Sequence, residues 1–358
     1  MSNDCFSEKI YGYKNLRISL YYSAARLNIY LSVKYDDTAD TCSPKSIEQT
    51  ITQHYETDIM DNLDQFEKML NEEESFRPAG TLLHSFNLAG KDSASKYEIF
   101  FCDSQTPKWL AYHSRIQTFL HWFIDGASYI VVDDNWKFFV LYEKYVSPLT
   151  NDVQYAIIGY ATVYEYYAYP ANIRPRISQV LVLPPFQKKG LGAILLSTIQ
   201  DHYSKVEKVL DITVEDPSAN FQITRDFVDC IRCRKLPGFS KEKLKNGYSD
   251  DMANESREQF KINKKQSRRV YEILRLLHTD RNDEESFRNF RLCVKKRLNG
   301  TFQRGGLLRM IQSVSNGTSD NMEDRRQKLQ LMFEDILLDY TEVVNRLEKY
   351  DGLPVAEL

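Results

Sequence analysis

Residues 176–197 read RISQVLVLPPFQKKGLGAILLS. The run from Ile177 to Leu183 has the aliphatic, β-branched composition of a strand, Pro184-Pro185 ends it, and an apolar helical stretch follows from about Leu191 to Tyr203. Between them, Gly190 and Gly192 allow positive φ angles and close approach of the backbone to a ligand. The helix N-terminus behind them adds unsatisfied N–H groups and a dipole that favours an anion. The stretch therefore predicts a strand, a backbone cradle for a phosphorylated cofactor, and a helix. Taken alone, the two glycines fit an ordinary strand-to-helix connection equally well.

The turn is not a P-loop, because no Gly-Lys-Ser/Thr stands a four-residue gap after a glycine. It is not the dinucleotide fingerprint either, since the third glycine and an early βαβ unit are missing. Working outward, residues 16–34 alternate apolar and polar as a strand pair does, and residues 45–55 and 57–73 predict helices. Thr81 to Phe86 and Tyr97 to Asp103 predict strands. Residues 107–126 predict a helix, with Leu110, Ile116, Phe119, Leu120, Phe123 and Ile124 at helical spacing and Gly126 near its end. Further strands are expected at Phe138 to Lys144, Tyr155 to Tyr167 and Val209 to Val214. Asp216 as N-cap and Pro217 as first helical residue then open a helix to about Lys235. Beyond about Ser240 the pattern is helical, with amphipathic segments at 262–279, 284–298 and 322–350. Gly300 to Thr318, rich in Gly, Ser, Asn and Thr, reads as a flexible linker.

The fold class is α+β. The expected organisation is an N-terminal mixed α/β domain over 1–106, a cofactor-binding domain over 107–239, and a helical domain over 240–358. The length of 358 residues suits several compact units. With 42% hydrophobic and 27% charged residues the composition is globular, and 23 tyrosines make it unusually rich in that residue. The net charge of −3 lacks the basic footprint of a nucleic-acid protein, so no direct nucleic-acid partner is expected. Residues 1–239 carry 24 Lys and Arg against 30 Asp and Glu, and residues 240–358 carry 23 against 20, so the tail is the mildly basic part. No apolar run has the length of a membrane span and the N-terminus has no signal-peptide core, so an intracellular protein without a membrane partner is expected. Six scattered cysteines fit a reducing compartment. Cys230-Ile-Arg-Cys233 has a ligand-like spacing but no second pair, so two thiols on a helix face are expected rather than a metal.

The turn matches the pattern Q/R-x-x-G-x-G/A at Gln187, Gly190 and Gly192, and so resembles the acetyl-coenzyme A loop of the GNAT acetyltransferases. Around it, TFLHWFIDGAS (118–128), TVYEYYAYP (162–170), RPRISQVLVLPPFQKKGLG (174–192), LDITVEDPS (210–218) and KINKKQSRRVYEILRLL (261–277) are similar to the catalytic subunits of type B histone acetyltransferases. The resemblance runs in order from about Gly12 to about Asp280. It implies a GNAT fold and transfer of acetyl from acetyl-CoA to a lysine amine on the tail of new histone H4, with a WD-repeat histone-chaperone partner and residence in nucleus and cytoplasm.

A free lysine titrates near about 10.4, so its amine needs a base to become a nucleophile. By resemblance Glu215 is that base and Asp216 assists it; two adjacent carboxylates raise one another's pKa where both are partly buried. The bare residues also fit a strand-end carboxylate and a helix cap. Asp125 is a third catalytic candidate, standing where the family more often has Glu. For the cofactor, the backbone of Val180, Leu181 and Val182 is expected to pair with the pantetheine amides. Gln187, Lys188, Lys189, Gly190, Leu191, Gly192 and Ala193 are expected to hold the pyrophosphate, and Ser218 either contacts the cofactor or steadies its own turn. Glu8 and Tyr164, Glu165 and Tyr166 are the expected substrate contacts, since carboxylates attract a lysine-rich peptide and rings cover its alkyl stems. Tyr164 and Tyr166 should share one face of a strand.

Against the family pattern a segment of some fifty residues ahead of GYK is expected to be missing, and with it a contribution to histone or partner contacts. Two other readings stand beside the first: an acetyltransferase of the same fold for another protein amine, and a non-catalytic histone-binding subunit.

Overall fold

A computed structural model describes residues 10–39, 44–55, 57–88, 96–124, 126, 128–148, 150–312 and 322–350. The described residues divide into two compact units, one up to His202 and one from Tyr203 on.

The first unit opens with short strands β1 (Tyr13–Lys14), β2 (Arg17–Tyr22), β3 (Ile29–Lys34) and β4 (Asp37–Thr38). β1 pairs with β4, and β2 with β3 as an antiparallel hairpin in register from Arg17–Lys34 to Tyr22–Ile29. Helix α1 (Pro44–His54) covers the hairpin through Ile47 and Ile51, which with Tyr55 and Leu31 form a small core. The helix expected over 57–73 is shorter, because Ile59 and Met60 form β5, parallel to β3. Helix α2 (Leu63–Leu70) starts after them on an Asn62 cap whose side chain accepts from the Gln65 N–H at 3.1 Å.

The hairpin turn is held by distant groups. The Glu73 carboxylate accepts from Ser23 Oγ at 2.8 Å and from the backbone N–H groups of Ala25 and Arg26 at 2.6 and 3.0 Å. The Ala25 carbonyl accepts from the Tyr112 hydroxyl at 2.7 Å, and the Ala24 carbonyl from the Ile157 N–H at 2.9 Å.

The main sheet of this unit is an antiparallel series in chain order: β6 (Thr81–Phe86), β7 (Lys96–Asp103), β8 (Trp136–Val146), β9 (Val153–Ala168) and β10 (Asn172–Val182). The helix expected over 107–126 is two, α3 (Trp109–Gln117) and α4 (Leu120–Phe123), because the buried Thr118 turns its hydroxyl onto the Arg115 carbonyl at 2.7 Å. Trp109, Tyr112, Ile116, Phe119 and Leu120 pack with Phe138, Val140 and Tyr142 as the principal core. His113 lies in it, 4.5 Å from Phe138 and 5.6 Å from Trp109 between ring centroids, and burial pushes its pKa down to about 4. It is neutral at physiological pH. Helix α5 (Leu191–Ser204) buries Leu191, Ile194, Leu195 and Ile199, and its His202 stacks on Phe101 at 4.8 Å.

The two longest strand pairings are not regular. Between β8 and β9 the register passes from Leu141–Gly159 to Tyr142–Ile157, and between β9 and β10 from Val163–Ile177 to Ala161–Val180. Each is one extra residue on one strand, a β-bulge that re-aims the backbone beside it. Gly159 is required there, since a Cβ would lie 2.2 Å from the Leu181 carbonyl oxygen.

The second unit holds β11 (Thr213–Val214) and helices α6 (Ala219–Cys233), α7 (Lys241–Asn246), α8 (Asp250–Phe260), α9 (Lys264–Leu277), α10 (Glu284–Gln312) and α11 (Met322–Tyr350). The strand expected over 209–214 is confined to its last two residues. Val209 is drawn into a turn with Val206, and Ile212 bridges to Ile262. In α9, Val270, Ile273 and Leu274 are buried, as the amphipathic pattern predicts. They join Phe290, Val294 and Leu298 of α10, and Phe333, Tyr340 and Val343 of α11, among the buried residues of this unit. The linker expected over 300–318 is helical as far as Gln312, and its remainder lies outside the described residues. Gly300, Gly305 and Gly306 cost the helix about 1 kcal/mol each relative to alanine, and the helix-forming run Leu307 to Gln312 carries it past them.

At the centre of these helices Glu272 of α9 is fully buried. It accepts from Arg268 Nε at 3.1 Å, from Arg297 Nε and Nη2 of α10 at 2.8 Å each, and from the Tyr340 hydroxyl of α11 at 2.9 Å. Burial and the Glu272 charge push the Tyr340 phenol well above its ordinary pKa. A second buried carboxylate, Asp226 of α6, accepts from Gln222, Gln266 and Arg269 at 2.7, 2.9 and 2.5 Å.

Candidate active site

The expected site residues fall in both units, and each group has its own local geometry. In the first unit, β10 carries Val180, Leu181 and Val182 opposite Ala161, Tyr160 and Gly159 of β9. Leu181 is buried in the principal core and the two valines are half-buried. The strand leaves the sheet through Leu183, whose N–H reaches the Ile158 carbonyl at 2.8 Å, and Pro184–Phe186 makes a single 3-10 turn.

The turn that follows is shaped by two left-handed residues, Lys188 (φ 59°) and Gly190 (φ 80°). The Gly190 carbonyl accepts from the Ala193 and Ile194 N–H groups at 3.0 and 3.1 Å, which closes the first turn of α5. The backbone N–H groups of Lys188, Lys189, Gly190, Leu191 and Gly192 have no acceptor among the described residues. A Cβ at 190 would meet nothing within 4 Å, and one at 192 only Val182 Cγ2 at 3.8 Å. Neither glycine is demanded by the protein's own packing. Open space, free N–H groups and a helix N-terminus together fit an oxyanion ligand such as a pyrophosphate.

Two side chains of the turn bond back to the backbone that precedes it. Gln187 Nε2 donates to the Val182 carbonyl at 2.8 Å, tying the turn to the strand end and occupying one of the expected pantetheine partners. Lys189 Nζ donates to the Pro185 carbonyl at 2.5 Å and sits 5.3 Å from the Phe186 ring centroid. Replacing Gly190 with alanine puts a side chain at φ +80°, a backbone conformation that L side chains rarely adopt, beside the free N–H groups of the turn. G190A is expected to weaken the binding of a pyrophosphate-bearing cofactor at least about fivefold, by equilibrium titration; an unchanged affinity would remove the turn from the cofactor site.

The bulge on β10 places Gln179 beside Val180. Its N–H donates to Thr162 Oγ1 at 3.0 Å and its Nε2 to the Ser128 carbonyl at 3.1 Å, while its Oε1 is buried without a protein partner among the described residues. Sequence reasoning had no signal for this residue, because a bulge follows from register across two strands.

Tyr164 and Tyr166 stand on one face of β9 with ring centroids 4.6 Å apart. Trp136 of β8, the cross-strand partner of Tyr164, meets its ring edge-on at 4.9 Å and 72°. The Arg176 guanidinium lies 5.0 Å from the Tyr166 centroid. Glu165, between the tyrosines, pairs its N–H with the Asn135 carbonyl at 3.0 Å. Trp136, Asn135 and Arg176 were not singled out in the sequence; the Asp133-Asp134-Asn135 turn before a strand is the signal that marks the first two.

In the second unit, Glu215 and Asp216 follow β11 and both are exposed. The partial burial expected of the pair is therefore not found. The expected Asp216 cap is also corrected. Asp216 has φ 30°, a left-handed backbone ahead of Pro217, and α6 begins at Ala219 on a Ser218 cap whose side chain accepts from the Phe221 N–H at 3.3 Å. An N-cap takes an extended backbone; Ser218 has it (φ −61°, ψ 157°) and Asp216 does not, so the cap falls to Ser218. Ser218 thus serves its own helix. Glu8 and Asp125 lie outside the described residues.

Cys230 and Cys233 are buried one turn apart on α6, and burial pushes both thiols well above their ordinary pKa. Among the described residues no group of three or more His, Cys, Asp or Glu is gathered as a metal site.

Three family models match the chain: "Histone acetyl transferase HAT1 N-terminus" over residues 1–125, "Acetyltransferase (GNAT) family" over 98–221, and "Histone acetyltransferase type B catalytic subunit, C-terminal" over 225–276. The chain is 39% identical to the histone acetyltransferase type B catalytic subunit of Homo sapiens, across 95% of this chain and 84% of that protein. It is 32% identical to the corresponding subunit of Mycosarcoma maydis (94% and 80%) and 30% identical to one of Dictyostelium discoideum (90% and 72%).

Proposed function

Because the chain belongs to the family of histone acetyltransferase type B catalytic subunits, we propose that it transfers acetyl from acetyl-CoA to lysine side chains on the tail of newly made histone H4. The observation that carries the reading is the cradle at Lys188–Gly192, which lies inside the segment matched by the acetyltransferase family model. The acetyl donor is acetyl-CoA, the co-substrate of GNAT acetyltransferases.

In the proposed reaction Glu215 takes a proton from the lysine ammonium, directly or through water. The free amine attacks the thioester carbonyl, a C–N bond forms and the C–S bond breaks, and the proton the nitrogen gives up on becoming an amide goes to the departing thiolate. No acyl-enzyme is needed, and the buried thiols of Cys230 and Cys233, held protonated, are unsuited to forming one. The free N–H groups at 188–192 hold the pyrophosphate, and Tyr164, Glu165 and Tyr166 receive the peptide. Asp216 supports Glu215, Asp125 of the 118–128 motif is a further catalytic candidate, and Glu8, an acidic residue near the start of the sequence, is a peptide contact. A WD-repeat histone-chaperone partner and residence in nucleus and cytoplasm belong to the same reading.

Mass spectrometry of an H4 tail peptide incubated with the protein and acetyl-CoA should show acetyl groups added at lysine. Equal rates on unrelated basic peptides would move the assignment to a broader protein-amine acetyltransferase. Histone binding without acetyl transfer would overturn the catalytic assignment.

A further inference from the structure

With β9 taken as the peptide face, the reading on which the role of Asp133 rests, one neighbouring group is still unassigned. Asp133 opens the turn before β8 and engages three elements of that face. Its Oδ2 accepts from the Tyr164 hydroxyl at 3.1 Å and its Oδ1 from the Asn135 N–H at 2.9 Å. Its own carbonyl accepts from the Trp136 N–H at 3.2 Å. Asn135 Nδ2 adds a second contact to the Tyr164 hydroxyl at 3.4 Å. The adjacent Asp134 turns the other way, taking Ser104 Oγ at 2.7 Å and Gln105 Nε2 at 3.1 Å.

We propose that Asp133 is a positioning and specificity residue for the lysine-bearing peptide. Its carboxylate locks the Tyr164 ring in its edge-on contact with Trp136 and puts a negative charge at the rim of that aromatic face. A phenol bonded to a carboxylate cannot rotate freely, so the ring is ordered before the peptide arrives and less entropy is lost on binding. A carboxylate at the rim also favours a cationic side chain over a neutral one of similar shape. Asp133 thus governs acceptor affinity and leaves cofactor binding and the chemical step to other groups.

The test is steady-state kinetics with an H4 tail peptide and acetyl-CoA. D133A is expected to raise the peptide KM about tenfold, the scale of one lost hydrogen bond to a charged group, with kcat and the acetyl-CoA KM within about twofold. In the background of Y164F the same substitution should lose most of its effect, because the two groups act as a unit. D133N, which keeps an acceptor for the turn but loses the charge, should retain the wild-type melting temperature and show an intermediate KM; it also serves if D133A does not fold. D134A is the control, expected to leave the peptide KM unchanged. Additive effects of D133A and Y164F, a fall in kcat at constant KM, or an unchanged KM would overturn the inference while leaving the proposed activity intact. A wild-type protein that does not acetylate the peptide would overturn both.

Discussion

Glu215→Gln should leave the fold and acetyl-CoA binding intact and lower turnover at neutral pH by about 10²- to 10⁴-fold, the usual contribution of a general base. The residue is exposed at the end of a two-residue strand, and glutamine has nearly its size, so packing changes little. The loss is chemical. A lysine amine with a pKa near about 10.4 is neutral in only about one molecule in a thousand at pH 7.4, and without a base the reaction draws on that fraction alone. The rate of the variant should therefore climb with pH up to the lysine's own titration, while the wild type levels off earlier. Circular dichroism and acetyl-CoA binding provide the fold controls. A variant with wild-type turnover at pH 7 would return Glu215 to an ordinary strand-end carboxylate.

The largest stability effect is expected at Glu272. Its carboxylate has no solvent exposure and binds two guanidinium groups and a phenol from α9, α10 and α11. Truncation to alanine leaves Arg268 and Arg297 facing a cavity and strands the Tyr340 hydroxyl. Removing one partner of a buried pair costs about 3–5 kcal/mol, and the lower end applies because both arginines keep some contact with water. Urea unfolding of E272A should lose about 3 kcal/mol, and E272Q, which keeps acceptor and donor atoms in place, less than that. A loss under about 1 kcal/mol in E272A would show that the three helices are held by their apolar contacts alone. Glu272 differs from the catalytic candidates in a useful way, since E272A should change the unfolding midpoint well before it changes the KM of either substrate.

Much of the candidate site is legible because its chemistry is contiguous in sequence. The cradle needs consecutive backbone N–H groups and a helix start, and QKKGLGA spells out both. Strand periodicity likewise puts Tyr164 and Tyr166 on one face. What the sequence hides are the choices made by contacts between distant residues. Gln179 reaches its position only because β10 carries one residue more than β9 across the bulge. Asp133 and Tyr164 are 31 residues apart, with nothing in either neighbourhood to announce the bond. The cap of α6 shows composition overridden by backbone conformation: Asp-Pro is a favourable helix start by residue type, yet Asp216 is left-handed where a cap is extended, and Ser218 caps instead. At 300–312 the composition of a linker masked a helix, since glycine lowers helix propensity without forbidding it.

The Ser23–Asn28 turn of the hairpin has a consequence for the order of events in folding. Its bonds to Glu73 and Tyr112 close sequence separations of 48 and 87 residues, and the bond from Ile157 closes a longer one still. Loop-closure entropy must be met before such contacts reward the chain, and structures rich in them fold slowly. The hairpin precedes β8 and β9 in the chain and leaves the ribosome before them, and β9 must be synthesised before the last of its ties can form. Its strands can pair at once, while their seating belongs to the late phase of folding, after β8 and β9 have closed the sheet.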